Sequence, residues 1–222
     1  MKMSNVTVLI PAYNEGKSIG KVIDHLSERY NCNIIVGNNC STDDTADVCV
    51  CRHIASLIKV TQKGKGNVMR ELFKHVHTDY AVMVDGDFTY PVEYYLPYMR
   101  YALENKADVV ICNRKVIEPG AMTTINKFGN WALSTMASAL YGQKVHDVCS
   151  GLWGWRRDAI YGFKPKSKGF TLEAELFAHA VKSNHKIAQI PIHYRKRKGD
   201  TAKLKVSHGV KIGWQLIKEK IV

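Results

Sequence analysis

Short, continuous apolar runs alternate with stretches of helical period along the first half of this chain. Val6-Thr-Val-Leu-Ile-Pro11, Ile34-Ile-Val36, Leu57–Thr61, Tyr80–Val84 and Asp108–Cys112 each read as a buried strand. Between them Ile19, Val22, Ile23, Leu26 and Tyr30 recur at helical spacing, and helices are expected over Ala46–Ile54, Asn67–Val76 and Glu93–Glu104. Ser41, Thr42 and Asp43 are all suitable N-caps for the helix over Ala46–Ile54. Strands without polar alternation imply parallel pairing with helices on both faces, an α/β domain. The second half is less regular. It predicts helices at Asn126–Tyr141 and Gly169–Asn184, a short strand at Leu152–Trp155 and a last strand at Lys186–Tyr194.

In such sheets ligands bind beyond the carboxyl ends of the strands, and the polar motifs gather there. Tyr13-Asn-Glu15, Asn38-Asn39, Asp85-Gly86-Asp87 and Asn113-Arg114 each follow an expected strand. Asp-Gly-Asp is good turn chemistry. It also puts two carboxylates on one loop, where they repel unless a cation sits beside them. For an oxygen-only pair that cation is Mg²⁺ or Mn²⁺, commonly in the company of a diphosphate.

Length and composition fit one sizeable domain: 222 residues, 45% hydrophobic and 23% charged. No apolar run is long enough to span a bilayer, and the polar start leads directly into a strand, so a cytoplasmic location is expected. The six cysteines follow no framework spacing and read as reduced thiols. The net charge of +12 is concentrated at the end, where residues 182–222 carry eleven Lys or Arg against Asp200 and Glu219. Such a patch suits phosphate on a nucleotide, a lipid or a membrane surface. Nucleic acid is not expected, because no groove-reading motif or stacking platform accompanies the charge.

The ordered motifs carry a resemblance. They run from Ile-Pro-Ala-Tyr-Asn-Glu15 through Ser-Thr-Asp-x-Thr45, Gly64-Lys-Gly66, Asp85-x-Asp87 with Tyr-Pro91, and Asn113-Arg114. Ser150-Gly151, Arg156-Arg157, Gly169-Phe-x-x-Glu173-x-Glu175, Ile-Pro-Ile-x-Tyr194, Arg197 and Lys203-Leu204 complete the series. The chain resembles family-2 nucleotide-sugar glycosyltransferases of the GT-A fold, and within them the polyprenyl-phosphate (dolichyl-phosphate) mannose and glucose synthases. The resemblance implies a single GT-A (Rossmann-like) domain at 1–204, with a nucleotide-sugar half at about 1–115 and an acceptor half at about 116–204. A C-terminal basic amphipathic helix follows at 205–222.

The implied activity is inverting transfer of a hexose from GDP-mannose or UDP-glucose to a polyprenyl phosphate, with a divalent metal. Asp87 is the expected metal ligand, and Asp85 holds the ribose or a metal-bound water. Pro11, Ala12, Tyr13, Glu15, Asn38, Asn39, Lys65, Asp85 and Gly86 resemble the nucleotide-sugar pocket. Arg114, Arg197 and Lys203 are candidates to grip the donor diphosphate and the acceptor phosphate; Asp87, Arg114 and Arg197 are the expected catalytic set. Two departures stand out: Asn38-Asn39-Cys40 where the family has paired aspartates and glycine, and Thr89 where mannose synthases carry a metal-binding Gln. Of Glu173 and Glu175, one is expected near the sugar or a cation and the other on the surface.

Two other functions remain open on the sequence. Transfer to a hydroxyl acceptor would need a base, for which Asp147 and Glu173 are the candidates. Asn38-Asn39 raises a non-catalytic nucleotide-sugar-binding role. At the end of the chain Val206, Val210, Trp214, Ile217 and Ile221 recur at helical spacing among lysines. Such a helix either lies peripherally in a membrane interface beside a lipid acceptor or membrane-protein partner, or docks on its own core.

Overall fold

The computed structural model describes residues 2–53, 55–197 and 206–221. Among these residues seven strands and eight α-helices follow one another, and the strands form one sheet. The strands are β1 Lys2–Ala12, β2 Asn31–Asn38, β3 Ala55–Lys59, β4 Tyr80–Met83, β5 Val109–Ile117, β6 Trp153–Arg156 and β7 Ile187–Tyr194. The helices are α1 Gly16–Ser27, α2 Thr45–Val50, α3 Lys65–Leu72, α4 Val92–Asn105, α5 Thr124–Tyr141, α6 Arg157–Ile160, α7 Leu172–Lys182 and α8 Val206–Ile221.

The sheet order is β3-β2-β1-β4-β6-β5-β7. Pairing is parallel except at β6, which runs antiparallel to both β4 and β5. The sheet is thus mostly parallel, as expected, with β6 the exception. The Trp153-Gly-Trp155 pattern explains how so short a strand can sit in the centre. Both tryptophans point to one face, where their rings stack 6.0 Å apart and Phe73 meets Trp155 edge-on. Gly154 faces the other way, and a Cβ there would come within 3.0 Å of Met99 on α4. Large side chains fill one layer while hydrogen replaces a side chain in the other.

The same two-residue period divides the core. Leu9, Met83, Ile111 and the tryptophans pack against α3, α5, α7 and α8. Val8, Ile10, Val82, Val84 and Val110 pack against α1 and α4. The C-terminal helix therefore docks on its own core: Ile212 and Leu216 are buried, and Tyr141 Oη donates to the Leu216 carbonyl at 2.9 Å. Its opposite side stays in solvent, with Val210 and Trp214 exposed. No helix among the described residues is long and apolar enough to cross a membrane.

Register at the sheet centre fixes the site. Leu9 lies opposite Met83, so β1 and β4 end side by side and deliver Pro11-Ala12 and Asp85 to one edge. Asn39 N–H donates to the Ala12 carbonyl at 2.8 Å, which brings the end of β2 to the same place.

Burial also raises the Cys32 and Cys49 thiols to about 11. In the unfolded chain such thiols ionise near pH 8.5. Their raised folded values add stability that is complete below about pH 8.5 and is lost as pH rises through about 11. The thermal midpoint should fall as pH is raised across this window. A Cys32→Val, Cys49→Val variant should show a shallower fall in the same calorimetric titration.

Candidate active site

The carboxyl ends of β1, β2, β4 and β5 and the chain after β7 enclose a cavity of about 890 Å³. Pro11, Ala12, Tyr13, Glu15, Asn39, Lys65, Asp85, Gly86, Asp87, Arg114 and Arg197 all line it, so most of the predicted residues come together. Asn38 does not line the cavity; its Oδ1 accepts a hydrogen bond from the Ser41 amide at 3.1 Å. Lys203 lies outside the described residues.

Each aspartate has its own cation. Asp85 Oδ1 accepts from Lys65 Nζ at 2.6 Å, and the same ammonium donates to Glu173 Oε1 at 2.6 Å. Asp87 is buried, pairs with Arg197 Nη2, and accepts from the Thr89 hydroxyl at 2.6 Å and the Thr89 amide at 3.1 Å. Arg197 Nη1 also reaches Glu15 Oε1 at 3.4 Å. Thr89 thus serves as a hydroxyl donor to Asp87.

Burial raises the pKa of Asp87, and the neighbouring charge of Asp85 adds to that rise against the opposing effects of Arg197 and Thr89. Desolvation would depress the Lys65 ammonium, but Asp85 and Glu173 hold it above the ordinary lysine value. Burial likewise raises Glu173, with Lys65 acting the other way.

Among the described residues no three His, Cys, Asp or Glu side chains gather as a ligand set. The donor chemistry nevertheless fits a hard divalent cation. Asp85 and Asp87 offer only oxygen, burial and the neighbouring Asp85 charge both raise Asp87, and each carboxylate is compensated by a cationic side chain.

The loops are held by close backbone approach. Gly64 has φ 122°, and a Cβ there would lie 1.8 Å from the Lys168 carbonyl oxygen; at Gly66 the Ser167 carbonyl would be equally close. Asn39 clamps the same loop, accepting from Gly64 N–H at 2.6 Å and donating to the Gln62 carbonyl at 2.8 Å. Glu175 is not on the surface as expected. It is buried, and its two oxygens accept the Lys166 and Ser167 amides at 2.6 and 2.7 Å. Phe88, between Asp87 and Thr89, has φ 63°, an uncommon conformation for a bulky residue. His25 edge-on at 4.9 Å and the Arg195 guanidinium at 4.7 Å hold its ring.

Glycosyl transferase family 2 matches this sequence over residues 7–162, more than half of the chain. The chain belongs to glycosyl transferase family 2. It is 28% identical to the dolichyl-phosphate hexose transferase of Haloferax volcanii over 96% of this chain and 93% of that protein. It is also 28% identical to glycosyltransferase AglJ of the same organism, over 86% of this chain but only 63% of AglJ. The fold resembles glucosyl-3-phosphoglycerate synthase of Mycobacterium tuberculosis, solved with Mn²⁺, UDP-glucose and phosphoglyceric acid. The TM-score is 0.79 at 20% identity, covering 98% of this chain and 80% of that one. This family-2 enzyme therefore has a GT-A-like fold.

The other wall of the cavity was not anticipated. Met122, Ile125, Phe128 and Leu133 from α5 and the loop before it join Phe170 and Ile212 there. Its sequence signal was the apolar, exposed start of α5, where Ile125, Phe128 and Trp131 share a helical side.

Gly151 sets the position of Asp85. A Cβ on it would lie 2.0 Å from Asp85 Oδ2 and 3.0 Å from the Tyr90 ring. Gly151→Ala should displace the carboxylate and lower turnover about 10²-fold. The thermal midpoint, measured in parallel, should change far less than an unfolding lesion would require.

Proposed function

We propose that this glycosyltransferase moves a hexose from a nucleotide sugar, GDP-mannose or UDP-glucose, to a polyprenyl phosphate with inversion at the anomeric carbon. The observation that carries this reading is the two-sided cavity. One wall holds Asp85, Asp87, Lys65, Arg114 and Arg197, and the other holds Met122, Ile125, Phe128, Leu133, Phe170 and Ile212. A lipid phosphate has both characters, an anion at one end and an apolar chain at the other. The 28% identity to a protein named as a dolichyl-phosphate hexose transferase points the same way.

Asp87 and Asp85 would hold the divalent metal, which supplies Lewis-acid stabilisation of charge on the departing diphosphate. Arg197 pairs with Asp87 and Glu15, beside the aspartates that would hold the metal. Released from them, its fork can grip phosphate oxygens bidentately. The acceptor phosphate is ionised near neutral pH and needs no base to attack the sugar.

A hydroxyl acceptor would need one, and both candidate bases are already committed. Both oxygens of Asp147 face Arg114, and Glu173 faces Lys65. These pairings favour the phosphate acceptor.

Peripheral attachment to a membrane fits the same reading. Phe128 and Trp131 on α5 and Val210 and Trp214 on α8 are exposed, with Lys127 and Lys211 among them, and Phe128 also lines the cavity. An apolar surface fringed by lysine suits an anionic bilayer face.

The deciding assay supplies polyprenyl phosphate in detergent with each radiolabelled donor and extracts the lipid. One donor should give labelled lipid with Mg²⁺ or Mn²⁺ and none with EDTA. Asp87→Ala should lower this yield at least about 10²-fold. Label appearing only in a water-soluble glycan would overturn the lipid acceptor. Separately, Trp214→Glu with Lys211→Glu should reduce sedimentation with phosphatidylglycerol vesicles at low salt. Unchanged sedimentation would remove α8 from the membrane contact.

A further inference from the structure

We propose that Asp147 is a positioning residue that fixes the Arg114 guanidinium in the orientation in which it takes a phosphate group. The proposal rests on the phosphate-handling role given to this cavity above.

The geometry is specific. Asp147 Oδ2 accepts from Arg114 Nε at 2.6 Å and from the Arg114 amide at 3.1 Å, while Oδ1 accepts from Nη2 at 2.7 Å. One carboxylate therefore holds both the backbone and one edge of the side chain. Nη1 takes part in none of these bonds. The guanidinium also lies over the Tyr194 ring, 5.2 Å from its centroid, and Tyr90 meets that ring edge-on at 5.1 Å. Arg114 is thereby clamped by an ion pair on one edge and an aromatic face below.

The clamp is tied to the paired aspartates. Tyr90 Oη accepts from the Gly151 amide at 2.6 Å, and Gly151 is the residue packed against Asp85. Asp147 and Gly151 belong to one short loop, so the segment that aims Arg114 also seats Asp85.

A purely stabilising role explains this arrangement poorly. Burying an ion pair costs desolvation that its attraction barely offsets, and apolar replacements are often as stable. Here the pair lies on the cavity wall: Arg114 lines the cavity, and Asp147 is 3% exposed behind it. An arginine with one edge bound and the other uncommitted presents a fork of fixed direction. Desolvation would lower the pKa of Arg114, but Asp147 keeps it well above the ordinary value, so the charge persists in the buried setting.

The two effects of Asp147 oppose each other, which gives the test its sign. Removing its charge makes the cavity more positive and does not weaken long-range attraction for phosphate. It frees the guanidinium to rotate, and alignment suffers. Asp147→Asn should therefore lower kcat about 10²-fold while the affinity for the same phosphate ligands changes less than about threefold. Asp147→Glu should recover part of the rate.

The experiment is a double-mutant cycle of Asp147→Asn and Arg114→Ala, read by kcat and by calorimetry. The probes are UDP, GDP and farnesyl phosphate, each with Mn²⁺, so that donor and acceptor phosphates are separated. If Asp147 acts through Arg114, the double variant is no slower than Arg114→Ala alone. Additive losses, or an Asp147→Asn enzyme with wild-type kcat, would overturn the proposal, as would unchanged binding of all three probes by Arg114→Ala. If Asp147→Asn does not fold, Arg114→Lys substitutes for it, since it keeps the charge but loses the fork; wild-type kcat there would overturn the proposal equally. If the wild type binds the probes but forms no lipid product, the transfer reading fails, and the positioning is then read from the Arg114 Nε–H NMR signal of the bound enzyme, which Asp147→Asn should broaden; an unchanged signal would overturn it. Should the wild type bind none of the probes, both fail.

Discussion

Two carboxylates at the end of one buried strand cannot remain charged without cations, and the surroundings of Asp85 and Asp87 are arranged around that constraint. Lys65 neutralises the first and Arg197 the second, from opposite parts of the chain. Glu173 shares the lysine and Glu15 the arginine, so the centre is a network of ion pairs. Neither cation is on the element that carries the aspartates. Their convergence ties the start of α3, the loop after β4, the start of α7 and the segment after β7 into one unit.

That network dictates tight backbone geometry around it. Gly64, Gly66 and Gly151 sit where a side chain would strike a carbonyl oxygen or the Asp85 carboxylate. Asn39 and Glu175 spend their polar atoms on loop amides, which fixes the walls against which the charged groups are aimed. The strained Phe88 turn between Asp87 and Thr89 is held by His25 and Arg195. Part of the folding free energy is thus stored in positioning, as is common at functional sites.

The apolar wall has a different physical origin. α5 and α8 bury one side of each helix against the sheet, through Ala137, Tyr141, Ile212 and Leu216. Their free sides keep Phe128, Trp131, Val210 and Trp214 in solvent. The two readings of the last helix are therefore not exclusive: it docks on its own core and still presents an aromatic, lysine-flanked surface. Exposed apolar groups are more informative clustered than scattered singly, and Phe128 and Trp131 do cluster, their rings 5.6 Å apart.

Continuous apolar runs were enough to establish an α/β sheet with its polar motifs at the strand ends, because a strand covered on both faces leaves no room for alternation. The order of motifs from Glu15 to Arg197 was enough to establish the family. Local spacing could not reveal the antiparallel β6, since direction depends on where α5 returns the chain. Nor could it show that Asn38 turns away while Asn39 clamps Gly64, or that Glu175 is buried two residues from Glu173. The partners of Asp85, Asp87 and Arg114 lie 20, 110 and 33 residues away in sequence. Which charge meets which is a property of packing, so only the tertiary structure decided it.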